Sequence, residues 1–384
     1  MQHLDKVLHD SVAQMDVPFV VAMVGNAAGI TYSGAVGVRP DAVFRVFSFS
    51  KAIGTMAAMM LIERGRLSLD TRIVDILPEF GNLQVLDGFD GDTPRLRAPR
   101  VQATVRHLAT HTSGLEYEFW NTDIARYVGL TAHPGMLTGL KAALHYPMAT
   151  DPGTRWGYGM GIDWLGLVVE AIDGRRIDAF CQAEIFGPLG MTSTGFEMDP
   201  AGLAGLVMRG EGGQFAPFDL APPARPEVYG MGHALYATAP DYMRFLRMML
   251  NKGELDGHRV LSEASIAVMQ ADQMRGLLFQ KMVTALPPIT ADFNPFPGTK
   301  VTHSFGFLRN EVDIPGRRAA GSLSWAGVCN THYWIDPARD VAAVFMTQSL
   351  PFAEAPVMRA YEAFERGVYA GQGSGSRPVK NPAF

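Results

Sequence analysis

Two hydrophobic periods divide this chain. From Pro18 to Val24 it is apolar and rich in β-branched residues, and Ile30–Val36 repeats that character after a turn at Gly25-Asn26. The pattern predicts two short strands between Val17 and Gly37. An unbroken apolar run from Ala52 to Leu61 predicts a helix that stops near Arg64-Gly65-Arg66. Residues 81–100 are polar and broken by glycine and proline, which predicts a surface excursion. Helical periodicity dominates from Val105 to about Met198. Within it Trp164, Leu165, Leu167, Val168 and Ala171 form an apolar stripe. Residues 210–230 read as a loop, Tyr242–Leu250 and Glu263–Gln270 as helices, and the proline-rich Pro287–Gly298 as an inserted flap. Four antiparallel strands are then expected at Phe305–Val312, Arg318–Trp325, Thr331–Asp336 and Val341–Gln348, before a closing helix at Ala355–Tyr369.

Strands at both ends with helices between them predict an α+β fold. One antiparallel sheet, built from both chain ends and flanked by helices as an α/β sandwich, would carry an inserted, mostly helical domain. The expected division is 1–75 with 235–370 for the sheet domain, 76–234 for the helical domain, and a flexible Gly/Ser-containing tail at 371–384.

The chemistry centres on Ser48-Phe49-Ser50-Lys51, at the start of the apolar helix. A spacing of three puts the Ser48 hydroxyl and the Lys51 amine on one helical turn, facing the same way. Only Lys51 among the lysines has a serine three positions upstream. A serine becomes a nucleophile when a base takes its proton, and Lys51 serves as that base only when neutral. A helix start and burial both disfavour the ammonium. Alone, the pair reads more readily as a solvated helix start. Ser50 is adjacent to Lys51 and points elsewhere on the helix.

A serine–lysine nucleophile needs a proton shuttle, an oxyanion hole and a walled pocket. Tyr158, in a glycine-rich turn leading into a helix, is a candidate shuttle, or else a core aromatic. Ser324-Trp-Ala-Gly-Val328 places small residues between strands, where a backbone approaches a substrate closely or where a bulge sits. His111 is expected to brace its loop, and His303 and His332 lie near the C-terminal strands, where one could touch the pocket but neither is expected to.

The order of these parts resembles the serine β-lactamase and penicillin-binding-protein fold: Ser48-x-x-Lys51, then Tyr158-Gly-Met160, then Trp325-Ala-Gly327. Within it, class C β-lactamases and family VIII carboxylesterases are the nearest likeness. His107-Leu-Ala-Thr-His-Thr-Ser-Gly-Leu115, Gly187-Pro-Leu-Gly-Met-Thr-Ser-Thr-Gly-Phe196 and Gly253-Glu-Leu-Asp-Gly257 extend it. Tyr158-Gly-Met-Gly-Ile-Asp163-Trp-Leu-Gly166 is similar to a run in family VIII esterases and in fungal polyketide-side-chain acyltransferases.

The resemblance implies Ser48 as nucleophile and Lys51 with Tyr158 as general base and acid. It implies an oxyanion hole from the backbone N–H groups of Ser48 and Val328, and substrate contacts from Trp325, Ala326, Gly327 and Met160. It also narrows the reaction. β-Lactamases carry Asn where Met160 stands, and Lys-Thr where Trp325-Ala326 stands. Methionine cannot donate the missing hydrogen bond. Loss of these anchors points to an uncharged ester, hence a carboxylesterase. Acyl transfer from the same acyl-enzyme is the alternative. A β-lactamase or D-amino-peptidase with weak β-lactam activity and a non-catalytic ligand-binding relative are more remote.

Composition changes little in this picture. Of the 384 residues 47% are hydrophobic and 18% charged, as in a globular protein. A net charge of −5 offers no basic footprint, so nucleic acid is not an expected partner. Dispersed histidines and no HExxH or CxxC motif argue against a metal, and no cofactor is implied. Cys181 and Cys329 fit a reducing compartment better than a disulfide. No apolar run approaches the ~20 residues of a membrane span, and the start lacks the core of a signal peptide. The expected protein is cytoplasmic and acts on a small-molecule ester. Homodimerisation stays open.

Overall fold

The computed structural model describes residues 2–220 and 223–371. At its centre lies an antiparallel sheet of β1 (Val20–Gly25), β2 (Ile30–Val36), β3 (Val301–His303), β4 (Leu308–Asn310), β5 (Leu323–Gly327), β6 (Thr331–Asp336) and β7 (Val341–Met346). Their spatial order is β3-β4-β5-β6-β7-β1-β2. The N-terminal hairpin therefore pairs onto the last strand of the C-terminal group, with Val21 opposite Met346 and Gly25 opposite Ala342. This is the β-lactamase/transpeptidase-like α+β architecture expected above.

Five helices position the site: α1 (Gln2–Ala13), α2 (Ser50–Glu63), α3 (Gly161–Asp173), α4 (Ala239–Leu250) and α5 (Ala355–Ala370). Both faces of the sheet are covered, and β7 shows why its sequence is apolar throughout. Val341, Ala343 and Phe345 pack with residues of α1 and α5, such as Leu8 and Phe364. Ala342, Val344 and Met346 face the opposite way, into the cluster containing Tyr242 and Leu246 of α4.

Helix α2 is apolar on every side, and residues 50 to 61 are all buried. Such a helix belongs inside a core rather than on a surface. Gly54 permits the close packing: a Cβ there would stand 2.8 Å from Met231 Cβ and 3.0 Å from Ile162 Cγ2. The helix stops at the expected place, with Gly65 at φ +67°.

Some elements differ from expectation. The excursion at residues 81–100 contains a β-hairpin, Val85–Asp90 with Thr93–Arg97, anchored by the buried Val85 and Leu86. Strand β3 was not expected, and β4 and β5 are shorter than predicted. The stretch before β5 is a loop because Arg317 and Arg318 leave the sheet to meet Glu365 of α5, at 2.6 Å each. Cys181 and Cys329 are buried free thiols, so they form no disulfide. Among the described residues no helix is long and apolar enough to cross a membrane. The expected tail falls outside the described residues from position 372 onward.

Candidate active site

Ser48 sits in a single 3-10 turn, Phe47–Phe49, that runs directly into α2. Phe47 has φ +42°, a left-handed conformation that costs energy for a bulky residue and persists only where surroundings enforce it. The surroundings here are hydrogen bonds. Val46 N–H donates to the Leu235 carbonyl at 3.2 Å. Ser50 Oγ donates to the Phe47 carbonyl at 2.5 Å and accepts from Leu235 N–H at 3.0 Å. Ser50 thus braces the turn, facing away from the lysine as expected.

Lys51 Nζ lies 3.1 Å from Ser48 Oγ, 3.1 Å from the Tyr117 hydroxyl and 2.8 Å from the Gly232 carbonyl. Tyr158 OH is 2.6 Å from Ser48 Oγ, and Trp325 Nε1 donates to Tyr158 OH at 3.1 Å. Proton counting orders this network. The indole can only donate, so Tyr158 keeps its own proton free to donate to Ser48. Ser48 then has its proton left to give, and Lys51 Nζ is the partner, provided the amine is neutral. Burial favours that form: desolvation pulls Lys51 down to about 7, although the charge of Asp163 pulls the other way. Burial pushes the Tyr158 phenol up, which keeps it protonated as a donor.

Asp163, in the first turn of α3, is fully buried. Its carboxylate accepts from Gly232 N–H at 2.9 Å and from Tyr117 OH at 3.4 Å, with His233 Nδ1 also 3.4 Å away. Burial pushes Asp163 up, yet His233, the charge of Lys51 and the Gly232 N–H outweigh that and hold it below the usual range. Tyr117, Asp163, Gly232 and His233 were not picked out from the sequence as site residues. The one available signal was the position of Asp163 in the run that follows Tyr158.

The far end of β5 closes the site. A Cβ on Gly327 would overlap the Val46 carbonyl and the Thr331 hydroxyl, so only glycine lets β5 lie against the turn that carries Ser48. That approach puts Val328 and Ser48 on one cavity wall. The cavity has a volume of about 510 Å³, and Phe119, Met282, Phe352 and Leu286 make its wall largely apolar. Trp325 and Ala326 line it as expected, and the 287–298 flap contributes Ile289 and Phe293.

Gly327 itself supports the wall from behind. Met160 is not brought to the cavity: it caps the start of α3 and is fully buried in the core. Its side chain removes a polar anchor without contacting the space in front of Ser48. His111 does brace its loop, with its carbonyl accepting Gly157 N–H at 2.8 Å and its ring edge-on to Tyr158 at 4.9 Å. His303 and His332 stay outside the cavity wall. His303 lies beside Trp325 at 5.7 Å between ring centres, and His332 stacks on Tyr361 at 4.3 Å. Burial drives both imidazoles down to about 3, which holds them neutral.

Fold and motif order together place the chain in the β-lactamase/transpeptidase-like class of enzymes. The chain belongs to the Beta-lactamase family, whose model matches residues 4–367. A lovastatin esterase from Penicillium rubens is 30% identical over 335 residues, covering 81% of this chain and 80% of its own. Unliganded simvastatin synthase (LovD) from Aspergillus terreus superposes with a TM-score of 0.83 at 25% identity, covering 97% of this chain and 98% of its own. EstCE1, described as a hydrolase with promiscuous acyltransferase activity, shares the fold with a TM-score of 0.78 at 22% identity, over 96% of this chain and 98% of its own.

Proposed function

We propose that this protein is a serine carboxylesterase that cleaves small or aryl carboxylic esters through an acyl-enzyme on Ser48. One observation carries the reading: Ser48 Oγ is held between Lys51 Nζ and Tyr158 OH at the wall of an apolar cavity. Neutral Lys51 takes the Ser48 proton as Oγ attacks the ester carbonyl carbon. The backbone N–H groups of Ser48 and Val328 hold the oxyanion, each such donor being worth roughly 2.7–4 kcal/mol. The carbon–alkoxy bond then breaks, and the alcohol leaves with the Tyr158 proton, which Lys51 replaces. Water repeats the sequence on the acyl-enzyme, gives its proton to the same pair, and releases Ser48. Nucleophile, base and acid are all side chains, so the reading needs no cofactor.

The cavity wall supports an uncharged ester over a β-lactam. None of its lining residues is Lys or Arg, and the Trp325 indole occupies the place beside Tyr158 where a β-lactamase carries lysine. Acyl transfer to an alcohol is the second reading. The apolar wall favours it, because few groups there would order a hydrolytic water. The relatives named above include an esterase and a synthase.

The test is to incubate the protein with p-nitrophenyl esters of graded chain length and with a chromogenic cephalosporin, and to seek a mass adduct on Ser48. Ester turnover well above cephalosporin turnover is expected, with both adduct and activity lost in Ser48→Ala. Absence of turnover and adduct, with Ser48→Ala behaving as the parent, sinks the reading. Ester product from added alcohol outpacing hydrolysis selects the acyltransferase.

A further inference from the structure

Beside the apolar cavity lies a second, polar one of about 330 Å³. The two share Trp120, Tyr158 and Met282. Tyr158 is therefore a wall of both, while its hydroxyl holds Ser48. The second cavity is built on a buried carboxylate. Glu116 lies 2.5 Å from Arg155 Nη2 and accepts from the Asn121 amide at 2.8 Å. Gly157 makes room for it, since a Cβ there would overlap the carboxylate. Lys281, at the rim, is paired with Asp292 at 2.6 Å. The Trp156 indole N–H, in the same wall, is buried with no acceptor.

We propose that this polar cavity is the alcohol subsite, and that it takes a neutral, hydroxyl-rich alcohol of about one sugar ring. The proposal rests on the Ser48 acyl-enzyme reading and adds a substrate class to it. Three arguments carry it. The group that leaves, or that attacks, exchanges its proton with Tyr158, so it belongs on the Tyr158 side of the acyl chain. Arg155 and Lys281 each already face a carboxylate, so neither is free to fix an anionic acceptor. What remains beside aromatic faces, apart from the exposed Asp123 carboxylate that would itself repel an anion, is uncharged: the Gln280 amide, the Thr122 hydroxyl and the orphan indole N–H, while Glu116 holds the Asn121 amide and Thr290 the Thr284 hydroxyl. A site built to bond hydroxyls discriminates strongly against alcohols that lack them. In transfer, the alcohol oxygen bonds to the acyl carbon as the carbon–Oγ bond breaks. The alcohol proton passes to the Tyr158–Lys51 pair and from it to Ser48 Oγ.

The experiment loads the protein with p-nitrophenyl butyrate and offers methanol, cyclohexanol or methyl glucoside as acceptor, with the butyrate esters quantified by mass spectrometry. The glucoside is expected to outcompete cyclohexanol at least tenfold at equal concentration. Thr122→Trp, filling the cleft from its exposed rim, should lower the glucoside-to-methanol product ratio about tenfold. Gln280→Trp, at a second exposed rim position, should do the same by an independent route. Methyl butyrate formed without any preference for the glucoside overturns the subsite alone, as does a ratio that neither variant moves. No p-nitrophenol release and no methyl butyrate overturns the acyl-enzyme reading, and the subsite with it.

Discussion

At the scale of single residues, the site depends on which proton Lys51 holds. Desolvation brings it to about 7, so kcat/KM should rise with pH through an acid limb near that value. Asp163 raises Lys51, so Asp163→Asn should move the limb to lower pH. A rate–pH profile whose midpoint stays put or moves upward would show that Asp163 does not act through the lysine. The same burial carries a stability cost. Between about 7 and 10.5 the unfolded chain binds the Lys51 proton and the folded chain does not, so parent stability rises with pH across that window. Lys51→Met should remove this slope and raise Tm at neutral pH while abolishing turnover, as thermal melts at several pH values would reveal. Ser48 and Lys51 were legible as a pair from their spacing, and Tyr158 from its place in a run that resembles the family's second motif. Tyr117, Gly232 and His233 were not, since they meet Lys51 and Asp163 only through tertiary packing. Met160 misled for a related reason. Its position in the motif was readable, but the turn into α3 sends its side chain to the core.

Among the elements, the proposed function turns on the contact between β5 and the Ser48 turn. Gly327→Ala would force β5 away from Val46 and carry Val328 with it. One oxyanion donor would be weakened, and kcat should fall by roughly 10²–10³-fold. Near-parental KM in steady-state kinetics would separate this from a binding defect, and an unchanged kcat would refute the role given to β5. The long central elements could be read from periodicity: β1, β2, β6, β7 and α2 carry runs of one clear type. The short ones could not. β3 is only Val301–His303, and the strand expected from Arg318 gave way to a loop because two arginines are drawn to Glu365. Such a long-range ion pair outweighs local strand preference and leaves no periodic trace.

Across the whole molecule, that ion pair ties the closing helix to the sheet. Arg318 and Glu365 are both fully buried, and Tyr361 OH accepts a further bond from Arg318 at 2.6 Å. Removing one partner strands a charge in the core, so Glu365→Gln should destabilise the protein by roughly 3–5 kcal/mol. Urea unfolding at constant m-value would measure the loss; a change under about 1 kcal/mol would mean that the pair is offset by solvent or neighbours. The α+β architecture itself was legible, because strands at both ends with helices between admit few arrangements. A sheet joined from the two ends also sets a timetable. A ribosome emits Ser48 and Lys51 early and Trp325 to Val328 hundreds of residues later. Until β5 exits and docks, the nascent chain holds Ser48 and Lys51 but neither Val328 nor the indole that donates to Tyr158. On the proposed mechanism, catalytic power therefore arrives with the last strands, and an unfinished chain is chemically quiet.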